Sequence, residues 1–229
     1  MTPVDVVPAR PGAVSGEPRL AERTFDELFG DAVRFHGHLC PGQVLGIRMA
    51  LAGCREVGIE RPRSAGKRLV VFVEIDRCAT DAIQAVTGVS LGKRTLKHVD
   101  YGKMAATFVD VVGGSAVRVV ARDDARQAAS EWAPHEPEPR RAQVAAYRRM
   151  PEPLLLRIER VTVNPGWLDR RRVRVRCDRC GEGINYDREV TFTGRTLCRA
   201  CAEGSYYAPR SEAVEEEAIV MSRRASPIA

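Results

Sequence analysis

The sequence predicts an α+β protein, a mixed helix and antiparallel-sheet core domain followed by a small four-cysteine zinc module. Three observations carry this expectation. Apolar residues recur at helical spacing up to residue 58, β-branched runs replace them from residue 68, and two Cys-x-x-C pairs lie towards the C-terminal end. Two helices, then a strand, a helix and a meander make an α+β pattern rather than a repeated βαβ.

Residues 1–19 carry Pro3, Pro8, Pro11 and Pro18 with Gly12 and Gly16, and read as a flexible leader without the apolar run of a signal peptide. Thr24-Phe25-Asp26-Glu27 fits a capping box, and Phe25, Leu28, Phe29, Ala32 and Phe35 follow on one helical face. His36 to Gly42 interrupts that helix. A second helix carries Val44, Ile47, Leu51 and Cys54 as a stripe and stops at Gly58. Residues 68–75 (RLVVFVEI) read as a buried strand, and Cys78 then precedes a helix over about 80–87, closed by Gly88. Residues 95–99 and 104–112 are expected as strands joined by a turn at Asp100-Tyr101-Gly102-Lys103, and Gly113-Gly114 turns into a further strand over 116–121.

Residues 122–149 are polar and proline-punctuated, and are expected as a variable loop with at most a short helix at its start. Residues 154–163 return to strand-like composition, either closing the sheet or crossing to a second copy of the chain. The domain reading is therefore a leader at 1–19, a core domain at 20–163, a zinc module at 164–210 and an acidic helical tail at 211–229. That tail has Ser211 as its cap and Glu212, Glu215, Glu216 and Glu217 at its positive start.

Bulk composition narrows the function classes. A hydrophobic share of 44% with 29% charge describes a folded soluble protein, and 6% aromatic content argues against a stacking platform for single strands. The net charge of +6 is too modest to name an anionic partner. No apolar stretch approaches the roughly 20 residues of a membrane span, and with no export signal read in the sequence the expected compartment is the cytoplasm. Seven cysteines in a reducing compartment point to metal or thiol chemistry rather than disulfides.

Cys177-Asp178-Arg179-Cys180 and Cys198-Arg199-Ala200-Cys201 are the spacing of paired knuckles, each offering two thiolates to one metal. Four soft ligands select a structural zinc and leave no open position for catalysis. Upstream, Arg170, Arg171, Arg172, Arg174 and Arg176 crowd together. In Arg172-Val173-Arg174-Val175-Arg176 the arginines share one strand face, which is either a solvated surface or a contact for nucleic acid. No base-reading helix accompanies it, so the solvated face is the favoured reading.

The other concentration of chemistry is Phe35-His36-Gly37-His38-Leu39-Cys40-Pro41-Gly42. Histidine, histidine and cysteine two apart would project to one side of an extended segment. Cys40 opens a helix, where amides and dipole favour a thiolate, and Cys78 opens another with Asp81 one turn in. Converged, they make either a metal site with an open position or a thiolate nucleophile with a histidine base. The competing reading is that each is a satisfied core residue, as Cys54 on its apolar stripe is expected to be. His98 and His135 read as structural or exposed, and Asp100 and Lys103 as surface turn residues.

Three long motifs, FHGHLCPGQVLGIRM at 35–49, DRCATDAIQAVTG at 76–88 and LGKRTLKHVDYGKMAATF at 91–108, closely resemble the FmdE family, named for a component of formylmethanofuran dehydrogenase. The resemblance spans about 25–121, and the four-cysteine module resembles that of two-domain members. It implies an α+β core, an intertwined homodimer and a pocket built from the HGHxCPG turn and a second cysteine. On this chain those pocket positions are His36, His38, Cys40 and Cys78, with Asp81, Asp100, Tyr101 and Lys103 as weaker carry-overs. His38, Cys40 and Cys78 are then the expected ligands of a second transition metal, and His36 and Lys103 join them as candidate catalytic groups. The family name is not carried over as an activity, since nothing here resembles a molybdopterin-binding catalytic chain. The leader and the long 122–149 segment depart from the family pattern. The expected function is a metal- or thiolate-dependent enzyme acting on a small molecule. A metal-handling or accessory protein is the alternative, and a nucleic-acid-binding regulator stands behind both.

Overall fold

Thr24 starts the first long helix, α1 (Phe25–His36): its hydroxyl accepts from the Glu27 amide at 3.2 Å while Glu27 accepts from the Thr24 amide at 2.8 Å. Gly37 ends α1 in the left-handed region at φ 92°, a conformation that costs glycine no Cβ clash. After a short bend comes α2 (Pro41–Glu56), with Pro41 in its first turn. This computed structural model describes residues 16–168 and 173–208, which fall into two compact units divided between Asn164 and Pro165. Residues 1–15, Arg170, Arg171, Arg172 and the acidic tail lie outside the described residues. The last part of the expected leader is tied down, because Glu17 accepts from the amides of Arg63 and Ser64 at 3.0 and 2.6 Å.

The first unit is built on a five-stranded sheet of β1 (Leu69–Val73), β2 (Leu96–His98), β3 (Ala105–Asp110), β4 (Ser115–Ala121) and β5 (Leu156–Arg160), in the order β2-β1-β3-β4-β5. Helix α3 (Cys78–Thr87) carries the chain from β1 to β2, which pair in parallel; the other pairings are antiparallel. This corrects the expectation of a turn joining two paired strands at Asp100 to Lys103. β1 lies between β2 and β3, so the connection crosses the end of β1, and the amides of Tyr101 and Lys103 both donate to the Glu74 carbonyl at 3.0 and 3.2 Å. The 154–163 segment closes the same sheet, as β5 against β4.

One sheet face presents Leu69, Val71, Val73, Ala106, Phe108, Val117 and Val119 to a core completed by Leu28, Val44, Ile47, Met49 and Ile83. Glycines set how closely the helices approach. A Cβ on Gly46 would stand 2.4 Å from the Ala79 carbonyl oxygen, and one on Gly53 would stand 2.2 Å from the Phe108 ring. Helix α2 therefore lies directly on α3 and on the sheet.

The segment 122–149 is largely helical rather than a loop: α4 (Asp124–Gln127) and α5 (Ala129–Trp132) are short, and α6 (Pro139–Arg149) runs eleven residues. Glu138 caps α6, its carboxylate accepting from the amides of Arg140 and Arg141 at 2.9 and 2.8 Å, and Pro139 occupies the first helical turn. Arg48 of α2 anchors the other end by donating to the carbonyls of Tyr147 and Met150, both at 3.0 Å. A one-turn helix, α7 (Glu152–Leu155), then leads into β5.

The second unit begins with α8 (Pro165–Leu168) and contains two hairpins, β6 (Arg174–Arg176) with β7 (Gly183–Asn185) and β8 (Val190–Phe192) with β9 (Arg195–Leu197), followed by α9 (Arg199–Glu203). Its buried core is Cys177, Ile184 and Leu197.

Candidate metal centre

His36 ends α1, and the left-handed Gly37 turns the chain back so that His38 and Cys40 lie beside it. The three come together through this bend and not through the extended spacing expected of them. Gln43 holds the bend from inside. Fully buried, it donates to the Ala32 carbonyl in α1 at 3.0 Å and accepts from the Cys40 amide at 3.1 Å. One ligand atom each from His36, His38 and Cys40 lies within 4.8 Å of the others, and the two imidazoles sit 4.4 Å apart, centre to centre.

His36 Nδ1 is 2.8 Å from Asp81 Oδ2. A carboxylate at that distance fixes the proton on Nδ1 and leaves a lone pair on Nε2. Nε2 is buried and has no hydrogen-bond partner. A buried acceptor without a donor is costly, and a cation at this spot would satisfy it. His38 is exposed, while His36 and Cys40 are half-buried, so the cluster opens to the surface on one side.

Cys78, on the first turn of α3, stands beside Cys40 but outside the mutually close set of three. Gly42 makes the approach workable: a Cβ there would lie 3.1 Å from Cys78 Cβ and 3.7 Å from Cys40 Sγ. Burial pushes the Cys40 thiol up, and the neighbouring Cys78 adds to that. The amides of Gln43 and Gly42 pull the other way without prevailing, so burial outweighs the helix-start effect expected from sequence.

Other candidates are placed elsewhere. Lys103 is exposed in the loop crossing the end of β1, its ammonium 6.0 Å from the Tyr101 ring centre. Among the described residues no hydrogen bond or ion pair joins it to the cluster. Asp100 accepts from the Gly102 amide at 3.0 Å within the same loop. His98 and His135 are exposed. Cys54 is fully buried in the core, its thiol pushed up to about 12 by burial.

In the second unit Cys177 and Cys180 flank the turn after β6, where Gly181 takes φ 74° and donates its amide to the Cys177 carbonyl at 2.9 Å. Cys198 caps α9 and Cys201 lies within it. The four sulfurs lie within 4.8 Å of one another, with Cys180 and Cys198 Sγ 3.9 Å apart. Zinc bonds of ~2.3 Å in a tetrahedron place sulfurs about 3.8 Å apart, so the cage has the size of a zinc site. Amides of Cys180 and Cys198 hold the Cys177 thiol down to about 6, while hydrogen bonding to Cys198 sends Cys201 up to about 12.

The sequence pattern described as FmdE, molybdenum formylmethanofuran dehydrogenase operon, matches residues 35–160, which is more than half of the chain. The chain belongs to the FmdE family. A second pattern, the prokaryotic dksA/traR C4-type zinc finger, matches residues 171–207. The FmdE unit thus carries a C-terminal zinc finger. A probable S-adenosyl-L-methionine-binding protein of Archaeoglobus fulgidus is 39% identical over 90 residues, which is 38% of this chain and 25% of that protein. The chain therefore spans about a quarter of the length of this curated relative. The crystal structure of an FmdE-like protein of the tungsten formylmethanofuran dehydrogenase type, from Syntrophus aciditrophicus, superposes with a TM-score of 0.57 at 20% identity, over 85% of this chain and all of that one. This establishes a shared FmdE fold.

Two residues that shape the FmdE site escaped the sequence reading. Gln43 was legible as the fourth member of a capping box that has cysteine in place of serine or threonine. Gly46 carried no signal, because its role depends on what α3 places opposite it.

Proposed function

We propose that the FmdE unit is a metal-dependent enzyme whose metal is held by His36 Nε2, His38 and Cys40. The observation that carries this reading is the buried, unpartnered Nε2 of His36, whose opposite nitrogen is fixed by Asp81. A ligating histidine steadied by a carboxylate behind it is the usual arrangement at protein metal sites. Two nitrogens and a sulfur suit zinc, copper or iron, and three protein ligands leave a position for a small molecule on the exposed side of His38. A metal bound there would supply Lewis-acid polarisation of a substrate oxygen, nitrogen or sulfur. Asp81 keeps the His36 ring oriented, Gln43 keeps the turn closed, and Cys78 supplies a thiol beside the reacting position. The name of the archaeal relative makes S-adenosyl-L-methionine the first small molecule to titrate against the loaded protein.

Metal content tests this reading. Protein purified without added metal is expected to hold two ions per chain, and His36→Ala or Cys40→Ser is expected to hold only the finger zinc. A wild-type chain with one ion, or substitutions that leave the count unchanged, would overturn the assignment. The half-exposed setting also supports a second reading, a metal-handling accessory protein. It differs in predicting rapid exchange of the pocket metal and no turnover. The finger, with four protein ligands and no open position, is proposed as a structural staple. Glu replacement of Arg174 and Arg176 with salt-dependent binding assays tests the nucleic-acid alternative.

A further inference from the structure

Cys40 and Cys78 form a pair that three-ligand coordination does not use in full. They sit at the starts of α2 and α3, helices of sixteen and ten residues that pack together, and the bare Gly42 lies against both: a Cβ there would stand 3.7 Å from Cys40 Sγ and 3.1 Å from Cys78 Cβ. Both are half-buried, so a small reagent reaches them, whereas Cys54 is sealed in the core.

From this juxtaposition we infer that Cys40 and Cys78 are a redox-active dithiol site that exchanges with small-molecule disulfides. One cysteine thiolate attacks a sulfur of the reagent disulfide, giving a mixed disulfide and releasing one reagent thiol. The other cysteine then attacks the protein sulfur of that mixed disulfide, forming the Cys40–Cys78 bond and releasing the second reagent thiol. The two protein thiols lose two electrons and two protons, and the reagent disulfide gains them. Because Cys40 is one of the three ligand residues, its oxidation discharges the pocket metal. That consequence rests on the metal assignment above; the exchange itself does not.

Reduced full-length protein, with and without pocket metal, is equilibrated in oxidised and reduced glutathione mixtures, then acid-quenched and mapped by peptide mass spectrometry. The expected result is a Cys40–Cys78 linked peptide lacking two hydrogens, reversible on raising reduced glutathione, with pocket metal released in the same proportion. Cys78→Ser is expected to stop at a Cys40 mixed disulfide. Gly42→Ala keeps both thiols but sets a methyl group against both side chains, and is expected to lower the linked fraction at a given ratio by tenfold or more. His36→Ala separates the two assignments, losing metal while still forming the link. Glutathione adducts without a link in wild type, or a link from Cys40 to a finger cysteine, would overturn the dithiol site while leaving the metal count intact.

Discussion

At the scale of single residues, the orientation of His36 depends on Asp81. Asp81→Asn retains the shape but loses the charge that raises the basicity of the ligating nitrogen, and is expected to weaken pocket-metal affinity about 10–100-fold in a chelator competition, with finger zinc unaffected. Asp110 serves stability instead. The Arg68 guanidinium, bonded at 2.6 and 3.0 Å, together with the amides of Gly113 and Val112, holds its carboxyl down to about 2. A depressed carboxyl contributes stability above its unfolded value near 3.8, and that contribution disappears as pH falls towards 2. Asp110→Asn is therefore expected to cost about 1–3 kcal/mol in urea unfolding at pH 7, with the gap to wild type closing between pH 4 and 2. The histidines and cysteines were legible as residue types in a short motif, because ligand chemistry is written in the side chains. Asp81 was named through the family resemblance, but its bond to His36 was not legible, since it lies 45 positions away and only packing brings it near.

Among the elements, α2 decides whether the site stays closed. Its Gly46 meets the Ala79 carbonyl and the Ala82 methyl of α3, so any side chain there forces the two helices apart. Gly46→Ala is expected to lower stability by about 1–3 kcal/mol and to loosen the pocket, read as a lower melting temperature together with faster loss of pocket metal to a chelator. Helix α1 was readable from Thr24, Glu27 and its apolar spacing, as those signals are local. Helix α6 was obscured because Pro134, Pro137 and Pro139 suggest a break, although Pro139 is favourable in a first helical turn and Glu138 caps it. The turn chemistry at Asp100 to Lys103 is genuine, with Gly102 at φ 63°, but turn residues do not say which strands they join. The parallel β1–β2 pairing decided that.

For the molecule as a whole, the two units draw on different sources of stability. The FmdE unit buries a broad apolar core, whereas among its described residues the finger buries three, too few to order it without metal. Stripping zinc with a chelator, or replacing Cys177 with Ser, is expected to abolish amide-exchange protection over 173–208 while the β1 to β5 amides remain protected. The sequence by itself determined the α+β class, the zinc finger and the residue types of the pocket, because periodicity, capping and Cys-x-x-C spacing are local properties of a chain. Only the tertiary structure decided that β1 stands between β2 and β3, that Cys78 is Cys40's neighbour, and that His36 Nε2 is left buried without a donor. Those depend on helix starts and strand edges far apart in sequence, whose meeting is fixed by the close packing of α2 on α3 and the sheet.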